Sequence, residues 1–135
     1  MATDEIIYLT FDEAVWFHFD LMMDWNEIRY GLEFRHLLDS ALARPQNEVA
    51  YANADIIRQA ASLCFGLIKN HPWTGGNKRT ATHLMETFLK LNGYELNCKI
   101  IEIIEMCLAV EADEWKVDEI ESWLRSKITF IEKTK

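Results

Sequence analysis

The residues of this chain that could do chemistry together fall in one run, His71-Pro72-Trp73-Thr74-Gly75-Gly76-Asn77-Lys78-Arg79-Thr80. Histidine is the side chain best suited to general-base work near neutral pH. Gly75 and Gly76 supply backbone that can turn successive N–H groups toward one point, and a helix start behind such a nest is a ready phosphate site. Asn77 reads as an N-cap, and Ala81, Leu84, Met85, Phe88, Leu89 and Leu91 follow it at helical spacing, so a helix is expected to open at about Asn77. Its first turn then carries Lys78 and Arg79, two cations that oppose the helix macrodipole by roughly 0.3–1 kcal/mol each. An anion held there would compensate them. The run therefore predicts a phosphate cradle with a proton acceptor at its edge; the plainer alternative is a glycine turn followed by two solvated basic residues.

Six helices are expected to position that run. Residues 6–9 suit a short extended segment, and Thr10 with Glu13 forms a capping box for a first helix reaching Asp24, with Phe11, Ala14, Val15, His18, Leu21 and Met22 facing inward. His18 reads as a hydrogen-bonded core histidine rather than a ligand. After a polar connection from Trp25 to Tyr30, a second helix spans about Leu32 to Ala43 and stops at Pro45, leaving 44–52 as a connection that could act as a flap. Asn53 caps a third, nearly all-apolar helix from Ala54 to about Lys69. The fourth helix closes at Asn92-Gly93, a fifth capped by Asn97 covers Lys99 to Glu111 with Glu102 and Glu105 outward, and a sixth covers Asp118 to about Ile128. The chain reads as one all-α domain, a helical bundle with the site loop between helices three and four and a frayed tail from Glu132 to Lys135.

Composition narrows the classes of function. With 135 residues, half of them apolar, the chain can bury a core without staples. Its net charge of −8 argues against general nucleic-acid binding, which needs a basic stripe, and makes the local cluster Lys69, His71, Lys78 and Arg79 more conspicuous. Cys64, Cys98 and Cys107 lack metal-binding spacing and read as free thiols, Cys64 and Cys107 buried. The acidic start Met-Ala-Thr-Asp-Glu has no signal-peptide pattern, and no uncharged run approaches the ~18 residues of a membrane span, so a cytoplasmic protein with no membrane partner is expected. Other features have bland readings. The run lacks the Gly-x4-Gly-Lys-Ser/Thr spacing of a P-loop, Ser40 in mid-helix reads as a packing residue, and the acidic residues from Glu111 to Glu121 read as a solvated face. Of the five tryptophans only Trp73 is expected in the site.

Residues 71–80 resemble the signature of the Fic/Doc (Fido) superfamily, His-Pro-Phe-x-Asp/Glu-Gly-Asn-Gly/Lys-Arg, and Asn77-Lys78-Arg79-Thr80-Ala81 is similar to its death-on-curing toxin branch. Tyr8-Leu9-Thr10, residues 37–45, Leu91-Asn92-Gly93-Tyr94 and Trp123-Leu124 extend the likeness to about residues 8–127. The resemblance implies a helical bundle whose loop binds ATP or another nucleoside triphosphate. It implies His71 as the base that deprotonates a hydroxyl of a target protein, and Gly75, Gly76, Asn77, Lys78 and Arg79 as the phosphate-holding positions. Pro72 and Trp73 would anchor the loop. Lys78, where nucleotidylating members have glycine, implies phosphorylation, in the toxin branch of elongation factor Tu. An antitoxin-like inhibitor is expected in trans, because the family's internal inhibitory pattern is absent from the sequence.

The departures from the pattern define the alternatives. Gly75 stands where the family has the acid that binds Mg²⁺, so no protein ligand for the metal is identified and Mg²⁺ would be held through the phosphates. Thr82 stands where the nucleotidylating branch has a later arginine, and Glu33-Phe34 replaces an Arg-Asp pair common among death-on-curing proteins. The leading expectation is a toxin-like protein kinase. AMP transfer by the same site is one alternative, and an inactive family member serving as a binding module is the other.

Overall fold

The computed structural model describes residues 5–131, in the order α1 (Phe11–Asp24), α2 (Arg35–Ala52), α3 (Ile56–Asn70), α4 (Asn77–Leu91), β1 (Tyr94–Leu96), α5 (Ile100–Glu111), α6 (Val117–Lys127) and β2 (Ile128–Phe130). The first four residues and the tail expected from Glu132 onward lie outside the described residues. The all-α class is as expected, with α3 at the centre packed against α2, α4, α5 and α6. Ile57, Ala60, Ala61, Leu63, Cys64, Leu67 and Ile68 of α3 are buried, and Ala81, Leu84, Met85, Phe88 and Leu89 of α4 meet them. These two helices leave and re-enter the core at one end, which fixes the loop between them.

Local chemistry sets the helix ends. At Thr10 the expected capping box is present: its hydroxyl accepts from the Glu13 N–H at 3.2 Å and the Glu13 carboxylate accepts from the Thr10 N–H at 2.9 Å. Asp55, not Asn53, caps α3 by accepting from the Arg58 N–H at 3.0 Å. Asn53 instead ends α2 in the left-handed region at φ 52°, a conformation asparagine tolerates. Asn97 does not cap α5. Its amide donates to the Thr129 hydroxyl at 2.7 Å, beside the two-stranded ladder that pairs Tyr94 with Phe130 and Leu96 with Ile128. That small sheet has no counterpart in the sequence reading. Residues 6–9 form no helix or strand and are held by the Asn92 side chain, which accepts from the Ile7 N–H and donates to the Ile7 carbonyl, both at 2.8 Å.

The largest correction concerns α2. It begins at Arg35 and runs through Pro45 to Ala52, so residues 44–52 are helix rather than a flap. Proline removes one N–H from the helix ladder, a local cost of about 3 kcal/mol. Tertiary contact offsets it: Pro45 is buried, and Arg44 lies over Gly66 of α3 with its Nε donating to the Ser62 carbonyl at 2.9 Å and hydroxyl at 3.1 Å. Further along α2, Glu48 meets Arg58 of α3, and Arg58 also pairs with Asp118 and Glu121 of α6. Ser40, expected in packing, is exposed on α2.

Candidate functional site

His71 ends α3 in the left-handed region at φ 53° and ψ 53°, and Pro72 follows, so the chain leaves the helix in one residue. The imidazole is exposed, with Nδ1 at 3.3 Å from the Ile68 carbonyl. A carbonyl only accepts, so Nδ1 carries the hydrogen and Nε2 keeps its lone pair for a proton. Pro72 and Trp73 are buried, as their anchoring role requires. The Trp73 ring stacks on the His18 imidazole with centroids 4.0 Å apart and planes 8° from parallel.

His18 is the core histidine expected. Its Nε2 accepts from the Gly31 N–H at 2.9 Å, so Nδ1 is the protonated nitrogen and donates to the Thr80 hydroxyl, also at 2.9 Å. Burial lowers its pKa to about 4. Between the unfolded value of about 6.5 and that folded value the unfolded chain binds a proton the fold refuses. Stability is therefore expected to fall as pH drops through this window, by roughly 3 kcal/mol at its acid end. Urea midpoints measured along a pH series test this, and a His18→Gln variant should lose that part of the pH dependence.

Asn77 is not the helix cap. Gly76 takes that position at φ 69°, and Asn77 opens α4 with its side chain turned back on the loop, accepting from the Trp73 N–H at 2.9 Å and donating to the Trp73 carbonyl at 2.8 Å. This ring of two hydrogen bonds closes residues 73–77 and fixes the path of Gly75 and Gly76. A side chain at Gly76 would be doubly opposed, by the positive φ and by Met22, whose Cε and Sδ lie 2.6 Å from where its Cβ would be.

The segment 25–34, of which 25–30 reads from sequence as a plain connection and 32–34 as the start of the second helix, lies across the loop, and the main-chain bonds it makes there keep 32–34 out of α2. The Glu33 and Phe34 N–H groups donate to the Pro72 carbonyl at 2.9 and 3.0 Å, the Thr74 N–H donates to the Gly31 carbonyl at 2.8 Å, and Leu32 bridges to Trp73. At Gly75 the contact is closest: a Cβ there would overlap the Arg29 carbonyl oxygen and lie 3.1 Å from the Arg29 Cβ. Gly75 is thus glycine because backbone is packed onto it.

Beneath this arch is a cleft of about 770 Å³. One wall holds His71, Thr74, Gly75, Gly76, Asn77, Lys78, Arg79 and Thr82; the other is apolar and comes from Ile100, Ile103, Ile104, Cys107 and Leu108 of α5. Six of the residues singled out from sequence, His71 and 75–79, are therefore brought to one cavity, while Pro72 and Trp73 support it from below. Both helix-start cations have partners in the chain. Lys78 Nζ is 3.0 Å from a Glu111 carboxylate oxygen, Arg79 is 3.7 Å from Glu27, and the Arg79 guanidinium sits 4.2 Å from the centroid of Trp25. Trp25 is therefore a site residue, which the sequence reading did not foresee, and so are Glu27 and Arg29. Isoleucines of α5 are open to solvent here, Ile100 by 74% and Ile104 by 46%. Cys107 is buried in the cleft wall, and burial pushes its thiol up to about 11, so it contributes apolar surface and no nucleophile.

The Fic/DOC family model matches residues 8–89, more than half of the chain and all of the loop. The chain belongs to the Fic/DOC family. It is also 45% identical over 62 residues to Toxin Doc of Mycolicibacterium smegmatis, a match covering 44% of this chain and 48% of that protein, so the chain spans about half the length of the curated relative. That likeness supports the death-on-curing branch within the family. No helix among the described residues is long and apolar enough to cross a membrane.

The donor set of this Fic/DOC cleft does not fit the metal that the family pattern implies. The acid position is Gly75, which the Arg29 carbonyl closes to any side chain. The carboxylates lining or bordering the cleft, Glu27 and Glu111, face Arg79 and Lys78, and the described residues contain no group of three His, Cys, Asp or Glu side chains placed to hold a metal.

Proposed function

We propose that this Fic/DOC domain is the toxin of a toxin–antitoxin pair and transfers the γ-phosphoryl group of a nucleoside triphosphate to a Ser or Thr hydroxyl of a target protein. The observation that carries the reading is the cleft itself. It sets an imidazole with a free Nε2, a glycine turn at a helix start and three cations, Arg29, Lys78 and Arg79, opposite an apolar wall. Phosphates suit the first wall and a nucleobase the second. In the step proposed, Nε2 of His71 takes the hydroxyl proton, the target oxygen bonds to the γ-phosphorus, and the bond to the bridging oxygen breaks to release the nucleoside diphosphate; His71 then returns its proton to solvent. Such transfer rests chiefly on alignment and on cations against the phosphate oxygens. Glu27 and Glu111 act as stand-ins that nucleotide phosphates displace from Arg79 and Lys78. Lys78 favours the phosphoryl over the nucleotidyl reaction by family resemblance, the Toxin Doc relative supports the toxin reading, and by the same resemblance elongation factor Tu is the target and the antitoxin acts in trans.

Incubation of the protein with cell extract and ATP labelled at either the α- or the γ-phosphate tests the reading. Label on protein from γ alone is the expected result. Label from α would establish AMP transfer instead, and no label from either position would leave a binding module.

A further inference from the structure

The misfit at Gly75 has a second side. The segment that closes the family's acid position is also the one that brings a guanidinium to the cleft. Arg29 sets its carbonyl on Gly75, and its side chain reaches over the loop so that a terminal nitrogen donates to the Thr74 carbonyl at 3.2 Å. The ion pairs of Lys78 and Arg79 have no counterpart at Arg29 among the described residues. One of its five N–H donors is used on Thr74, and among the described residues the others have no hydrogen-bond partner and can meet an oxyanion. Arg29 lines the cleft with Lys78 and Arg79 and is exposed.

We infer that this site binds its nucleotide as the free polyphosphate anion, without a divalent cation, and that Arg29 supplies beside Gly75 the positive charge that a carboxylate-held metal would otherwise provide. The inference rests on the nucleotide reading above and narrows it. A carboxylate beside a phosphate is tolerable only with a cation between them; remove the carboxylate and add a guanidinium, and the phosphates meet the protein directly. A planar guanidinium matches two phosphate oxygens at once, the geometry for which arginine is favoured. Mg²⁺ neutralises much of the charge on ATP, so the metal should compete with Arg29 rather than assist it.

Isothermal titration calorimetry of the intact chain with ATP, at matched ionic strength, in EDTA and in excess Mg²⁺, tests the inference. The expected affinity in EDTA equals or exceeds that in Mg²⁺. Arg29→Gln is expected to weaken binding in EDTA by about ten- to a hundred-fold, the usual effect of losing a paired charge-assisted contact. Arg29→Lys, which keeps the charge but not the fork, should fall between. Neither change alters the backbone carbonyl on Gly75, and an unchanged melting temperature for both variants would exclude a folding effect. Binding that drops ten-fold or more on chelation, or an Arg29→Gln variant that binds ATP as tightly as wild type, would overturn the inference while leaving the nucleotide reading in place. Absence of binding in both buffers would overturn the nucleotide reading itself.

Discussion

Replacing His71 with alanine is expected to lower transfer to the target by about two to four orders of magnitude, the range for loss of a general base. Nucleotide affinity should change by less than about three-fold, because the phosphate-facing groups of the cleft lie on other residues. The geometry makes the separation clean. The imidazole is exposed at the helix end, and among the described residues its hydrogen bond is the one from Nδ1 to the Ile68 carbonyl, which leaves Nε2 unengaged. Stability should fall by no more than about 1–2 kcal/mol, the cost of alanine at a left-handed position and of the lost Ile68 contact, since the side chain is exposed and the Pro72 and Trp73 anchoring is untouched. His71→Asn offers a finer check: it preserves a donor for Ile68 but no base, and should be as inactive as alanine. If either variant kept more than about a tenth of wild-type transfer, another group would have to take the proton.

Gly75→Asp carries the other large effect, and its sign separates two views of the loop. By family pattern alone, an aspartate here restores a metal ligand and should raise activity in Mg²⁺. The packing predicts the opposite. A Cβ at residue 75 overlaps the carbonyl of Arg29, a backbone group held by the hydrogen bonds of segment 25–34 to Pro72 and Thr74. It cannot turn away as a side-chain tip could. Overpacking of this kind costs about 3 kcal/mol, which for a domain of this size lowers the melting temperature by roughly 10 °C. The expected variant melts early, binds ATP more weakly, and gains nothing from Mg²⁺. Differential scanning calorimetry with an activity titration in Mg²⁺ checks both parts; a stable, faster, Mg²⁺-dependent variant would contradict the account.

The chain shows which physical signals survive in sequence. The loop was legible because its residue types are rare together: a histidine, a proline stop, two glycines and two cations at a helix start. The inward stripes of α1 and α4 were legible because their periodicity is local, and the burial of α3 because it is apolar nearly all round. Tertiary contact decided the rest. Pro45 reads as a stop until the contact of Arg44 with Gly66 and Ser62 is known. Glu27 and Glu111 answer the charge anomaly at Lys78 and Arg79, yet nothing near either carboxylate in the sequence points to a basic partner. Segment 25–34 has no periodicity because its placement comes from main-chain hydrogen bonds to the loop, which any residue types could make; the left-over basic Arg29 and exposed Trp25 were the faint signals there. The apolar cleft wall on α5 was not legible either, because periodicity distinguishes an apolar face from a polar one, not a packed face from a cleft wall.

The central claim is that residues 75–79 are a cradle for nucleotide phosphates with an apolar slot opposite. Amide-resolved NMR of the free protein titrated with ATP tests it most directly. The largest shift changes are expected at the amides of Gly76, Lys78 and Arg79, with smaller ones along Ile103 to Leu108 of α5, and a change in Trp25 fluorescence as Arg79 leaves its ring. Saturating ATP with no change in those amides, or changes confined to the opposite face around Arg44 and Tyr51, would contradict it.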